Sequence, residues 1–218
     1  MSITTREVAR LLRAEVNPLI RAQGFAMARG KTFWRHGPVL TDVIRLGHLT
    51  AHVARVARVS AASIQVEFGT GLTRAMAGHV RRKDRLPCPD PWDCLFRGAA
   101  QKALRQPQLD QGDIWVIEAG GSNLDAVIAD IARVIRDDAP AWFARVHDLT
   151  AMQRFLETEE EAEDFSLWGF GRPASPARRE ALALVAQALQ EVALQEASLP
   201  DRAPQTAASE KHAPKAGG

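Results

Sequence analysis

The chain has 218 residues, 46% apolar and 25% charged, the balance of an ordinary globular protein with one sizeable domain and attachments. Its 28 basic and 26 acidic side chains leave a net charge of +2, too small to imply a polyanion partner by itself. No run approaches the roughly 18 apolar residues that cross a bilayer. The first residues lack the apolar stretch of a secretory leader, and Cys88 and Cys94 are too few for a disulfide framework, so the expected setting is the cytosol.

Residues 4–22 predict the first helix. Thr4 and Glu7 stand at capping-box spacing, and Val8, Leu11, Leu12, Val16, Leu19 and Ile20 recur on one face. Pro18 is expected to bend or break the ladder near residues 15–17, and Gly24 to stop it. Residues 31–36, 39–46 and 64–70 read as strands. The last is the clearest, with Ile64, Val66 and Phe68 alternating against Gln65 and Glu67. Residues 48–63 suit a helix and a strand equally, and read as an extended or irregular connection. Residues 72–112 are the least regular, with a basic cluster (Arg81, Arg82, Lys83, Arg85), a proline-rich turn at 87–91 and a short helix around 92–104.

Residues 114–117 predict a short buried strand. A second capping box, Ser122 with Asp125, opens a helix carrying Leu124, Val127, Ile128, Ile131, Val134 and Ile135. Asp138 and Pro140 are expected to restart a helix through Trp142, Phe143 and Val146. Asp148 or Thr150 begins another. The domain would span 1–157, an acidic linker 158–174, a C-terminal helix 175–197 and a disordered tail 198–218. Leu182, Val185, Leu189 and Val192 form a seam about two heptads long, which either packs on its own domain or pairs in a weak homodimer. The class that follows is α+β: an antiparallel sheet of four to five strands, an N-terminal helix and a C-terminal helical layer.

The chemistry-bearing patterns are thin. Gly69-Thr70-Gly71 lacks the lysine and spacing of a phosphate loop. Cys88, Cys94 and His79 lack the paired spacing of a zinc site, so neither metal nor cofactor is expected. No nucleophile elbow is present, and His147-Asp148 falls at a helix junction where capping accounts for the aspartate. The polar sheet face is the more informative constellation. Gln65 and Glu67 would face away from the helices with Arg35 and Arg45 across the ladder. They form either plain cross-strand ion pairs or, flanked by Trp34 and Trp115, a surface that receives a partner. The basic cluster 81–85 is either a solvated loop or a phosphate-contacting one.

With these elements placed, the chain resembles a bacterial family known only as domain of unknown function 4304. The likeness rests on Val16-Asn17-Pro18-Leu19-Ile20 running into Gly24-Phe25, then Gly30-Lys31-Thr32-Phe33-Trp34-Arg35 and Val43-Ile44-Arg45-Leu46. It continues through Ile64-Gln65-Val66-Glu67-Phe68-Gly69, Cys94-Leu95-Phe96-Arg97, Asp113-Ile114-Trp115 and Ala139-Pro140-Ala141-Trp142-Phe143. It covers residues 5–157 and departs at 47–63 and beyond 157. The resemblance brings no reaction and no catalytic residue. The expectation is a non-catalytic intracellular bacterial module that binds a protein partner through its sheet face and the 72–112 loop, in an immunity or accessory role. The alternatives are a nucleic-acid binder using the basic loop and a small-molecule enzyme.

Overall fold

The computed structural model describes residues 3–74, 78, 86–106, 112–158 and 176–198. Its class is α+β: an antiparallel six-stranded sheet with an N-terminal helix and a C-terminal helical layer. The strands are β1 (Met27–Arg29), β2 (Thr32–His36), β3 (Leu40–His48), β4 (Ile64–Leu72), β5 (Phe96–Ala99) and β6 (Ile114–Trp115). They lie in the order β1-β2-β3-β4-β5, and β6 also pairs with β4. β5 meets β4 from Thr70 to Glu67, and β6 meets it at Gln65 and Ile64. The two are one edge strand interrupted by the excursion between Ala100 and Asp113. The region expected to be irregular thus supplies a strand where a helix was predicted. The connection after β3 is helical instead of irregular: α3 (Ala51–Val56) starts at Thr50, whose hydroxyl accepts the Val53 N–H.

The N-terminal helix is continuous through α1 (Thr5–Leu11), a π-turn at Leu12–Val16 and α2 (Asn17–Ala22). Thr4 and Glu7 make the expected capping box, and the chain leaves the helix at Gly24, whose φ of +87° is costly for any residue with a Cβ. The second long helix has the same plan: α4 (Leu124–Arg133), a π-turn at Val134–Asp138 and α5 (Ala139–Val146). Each π-turn ends two residues before a proline, Pro18 or Pro140. A proline lacks the N–H and crowds the carbonyl four residues back, and the wider turn accommodates both defects. The extra residue also keeps positions four apart on one face, where about 3.6 residues per turn would carry them round. Val8, Leu12, Val16 and Ile20 are all buried, as are Val127, Ile131, Ile135, Ala139 and Phe143. Asp138 is therefore inside a running helix, not a restart. The predicted Ser122 capping box is absent too: Asn123 precedes α4, and its Oδ1 accepts the Glu118 N–H at 3.0 Å.

These helices lie on one face of the sheet, against Phe33, Ile44, Val66, Phe68, Phe96 and Trp115. α6 (Leu149–Glu157) follows, with Asp148 as its N-cap. α7 (Pro176–Ser198) returns along it, and Val185 enters the same core with Leu182 and Leu189 packed beside it. Arg178, 6% exposed, ties the two together by donating to the carbonyls of Phe155, Leu156 and Thr158 at the α6 C-terminus. A cation suits that end of the helix dipole. No helix among the described residues is long and apolar enough to cross a membrane.

Candidate functional site

The outer face of the sheet is covered at both ends. At one end residues 86–94 lie across β2 and β3, where Trp34, Val43, Cys88 and Cys94 form a small buried cluster. Trp34 Nε1 donates to the Pro89 carbonyl at 2.8 Å, and His36 Nε2 to that of Pro87 at 2.7 Å. The loop sits tightly because Gly69 leaves room for it. A Cβ there would meet Cys94 Sγ at 2.7 Å and Pro91 Cα at 2.9 Å. At the other end Leu49, Ala54, Ile114 and Val116 pack together with α3.

Between these covers the period-two pattern holds. Arg45 faces Glu67 across the ladder and donates to its Oε2 through two nitrogens, and Gln65 Nε2 donates to Asp113 Oδ2 at 2.6 Å. Arg45, Gln65 and Glu67 are brought together as predicted. The other three proposed binding residues are not. Arg35 pairs with Asp42 on the helix side. Trp115 is fully buried on that side too, its Nε1 donating to Asp130 at 2.9 Å. Trp34 is on the outer face but only 4% exposed beneath the loop. Arg81, Arg82, Lys83 and Arg85, with His79 and most of the acidic run, lie outside the described residues.

Along the β5 margin a cleft of about 840 Å³ opens, within the size range of ligand sites. Its walls come from both sides of the sheet: Glu67 and Arg97 from the outer face, Gly98 and Trp142 from the helix face, with Trp92 at the loop and Asp113 beside β6. Trp92 stands on a short 3₁₀ turn, Pro91–Asp93, closed by reciprocal bonds between Asp90 and Asp93. It is 59% exposed, and the Arg97 guanidinium stacks 4.2 Å from its ring centroid. Gly98 lets Trp142 close down on the strand: a Cβ would lie 2.7 Å from the indole nitrogen. Sequence reasoning missed Trp92, Arg97 and Asp113 because β5 carries one strongly strand-favouring residue, Phe96, before Gly98. Trp142 was placed only as one of the apolar residues of the helix after Pro140.

The described part of the excursion, through Gln106, is firmly held. Asp130 accepts the N–H groups of Ala103 and Leu104 as well as the Trp115 indole and Arg133 Nε. Burial opposes its charge, but the bonds from Leu104, Arg133 and Trp115 outweigh it and hold the carboxyl below its ordinary value. The Gln106 side chain exchanges two hydrogen bonds with the Val116 backbone at 2.6 and 2.8 Å, as a neighbouring strand would.

On the helix side Asp42, 2% exposed, gathers a second polar group. It accepts from Arg35 at 2.8 and 2.9 Å and from Thr70 Oγ1 at 2.7 Å, and His147 Nε2 lies 2.8 Å from it. Arg35 in turn lies over the rings of Phe25 and Phe143. The Thr70 hydroxyl donates to this carboxylate, but Thr70 is fully buried and presents no surface to a substrate. The Cys94 thiol is buried as well. Burial first, then the charges of Asp93, Asp42 and Asp90, push it well above its ordinary value. Among the described residues no three His, Cys, Asp or Glu side chains are grouped to hold a metal ion.

Comparison with known proteins finds no matching family model, no matching curated protein and no matching solved structure.

Proposed function

We propose that the chain is a bacterial, cytosolic binding module that recognises a protein partner at the β5 margin, with an immunity or accessory role. The resemblance to domain of unknown function 4304 is part of the same proposal. The observation that carries it is Trp92: a large indole, mostly exposed, held on a rigid proline turn at the mouth of a cleft. Exposed tryptophan and arginine on a firm support are the residue types that anchor interfaces. Gln65 and Glu67 line the cleft with this anchor, and Arg45 is joined to it through Glu67, so part of the predicted sheet-face surface forms one side of the cleft.

The test is capture of partners on the tagged chain from its native host, with and without nuclease. Trp92→Ala is run beside the parent. A protein retained by the parent through nuclease treatment and weakened by about 2 kcal/mol or more in Trp92→Ala supports the reading. Retention indifferent to Trp92→Ala, or material lost wholly to nuclease, overturns it. A small-molecule ligand is the second reading, favoured by the cleft volume and its convergent polar groups. A metabolite that protects the chain against heat while no protein is retained would select it.

A further inference from the structure

We propose that the cleft receives the guanidinium of an arginine side chain presented by the protein partner. This rests on the binding-module reading above and names what that partner must offer.

Two carboxylates of the cleft have acceptor capacity left. Both bonds from Arg45 land on Glu67 Oε2, and among the described residues nothing donates to Oε1. Glu67 is 7% exposed and lines the cleft. Asp113 accepts one hydrogen bond among the described residues, from the neutral amide of Gln65, and pairs with no cation there. An ionised carboxylate accommodates about four donors, so both are undersupplied. Of the four carboxylates lining the cleft, Glu67, Asp137 and Asp138 already pair with Arg45, Arg136 and Arg133, which leaves Asp113 as the one without a cation among the described residues. Asp113, together with the remaining capacity of Glu67, is therefore where an incoming cation would find its acceptors.

The aromatic wall narrows the cation further. Trp92 already carries one guanidinium, that of Arg97, stacked at 4.2 Å, while more than half of its surface stays exposed. A planar guanidinium can stack on an indole and fork its N–H groups to a carboxylate at the same time, which a compact ammonium cannot do. On the described side of the excursion Asp130 holds Ala103 and Leu104, and Gln106 is bonded to the Val116 backbone.

The experiment titrates the isotopically labelled full chain with three small probes: N-acetyl-arginine amide, its uncharged citrulline counterpart and N-acetyl-lysine amide. The indole N–H signals of the five tryptophans are read, with Trp92 assigned through Trp92→Phe. The arginine probe is expected to shift Trp92 and Trp142 saturably, the lysine probe to bind severalfold more weakly, and the citrulline probe to leave both signals in place. Asp113→Asn should lower arginine affinity roughly tenfold. If that variant disturbs the remaining indole signals, the exposed Trp92→Ala replaces it and must weaken binding, read at Trp142. Equal response to arginine and citrulline, lysine binding as tightly as arginine, or affinity unmoved by the variants would overturn the proposal. A protein partner that depends on Trp92, with no arginine response, would sink this inference alone. Loss of partner dependence on Trp92 would sink the binding-module reading, whatever the probes do.

Discussion

Asp42 gives the sharpest stability prediction, because His147 at the end of α5 and Arg35 of β2 meet at this one buried carboxylate. In Asp42→Asn the shape survives, but an amide that donates replaces an oxygen that accepts, facing Arg35 Nε and its terminal nitrogen. Breaking a buried ion pair by removing one partner costs about 3–5 kcal/mol. The Arg35 and His147 side chains keep 30% and 38% of their exposure, so water takes up part of the loss. The expected cost is therefore about 2–3 kcal/mol. Urea unfolding of the variant should show a lower midpoint with an unchanged slope. The double variant Arg35→Met with Asp42→Leu should be destabilised by less than the sum of its single changes, since removing both charges leaves neither one stranded. A cost below about 0.5 kcal/mol for Asp42→Asn, or strict additivity in the double variant, would refute the reasoning.

Arg178→Met should cost about 2–4 kcal/mol by leaving three helix-end carbonyls without their cation. Hydrogen exchange should rise in α7 and the last turn of α6 before it rises in β3 and β4. Gly98→Ala should cost about 1–3 kcal/mol and shift the Trp142 indole signal. The new methyl meets a ring already wedged at 4.9 Å against Phe143 and 5.5 Å from Phe68. His48 should make stability fall on acidification. Its Nδ1 donates to the Ala62 carbonyl and its buried Nε2 has no partner among the described residues. Burial, then the charge of Lys31, hold the imidazole below its ordinary value of 6.5, against the opposing pull of the nearby carbonyls. The unfolded chain therefore binds the proton first, and the stabilising contribution, complete above that value, is lost as the pH falls below it. His48→Asn should flatten this part of the pH–stability curve; an unchanged slope would count against the assignment.

Legibility in the sequence followed the length of each alternating run. β3 and β4 are long enough that their period fixes which side chains share a face, and Arg45, Gln65 and Glu67 emerged as a set. In β2, Phe33 and Trp34 are adjacent and both are buried, one on each face, so the pattern alone does not say which way Arg35 points. Its partner decides: Arg35 faces Asp42, and only a carboxylate on the helix side makes a guanidinium there tolerable. β6 has two residues and no pattern at all, which is why Trp115 was assigned to the wrong side. The π-turns did leave a signal. Apolar positions at a strict spacing of four, running past a proline, are poor for a plain α-helix and suited to one with an inserted residue.

The cleft and the interrupted edge strand have one cause. β5 and β6 continue each other along β4, and the chain leaves the sheet between them, so side chains from both faces converge where the strand would otherwise have been continuous. Such a gap weakens an edge unless something replaces the missing ladder. Here the replacement is made of side chains: Gln106 pairs with the Val116 backbone, and Asp130 collects two loop N–H groups with the Trp115 indole. Asp130→Asn removes the charge that favours these bonds and places a donor among donors. It should loosen the Ala103–Leu104 segment and the Trp115 contact together. If the wall is what shapes the cleft, the same change should weaken the arginine probe severalfold even though Asp130 does not line the cleft. Unchanged probe affinity alongside faster exchange at Ala103 and Leu104 would separate the wall from the site and break the link argued between them.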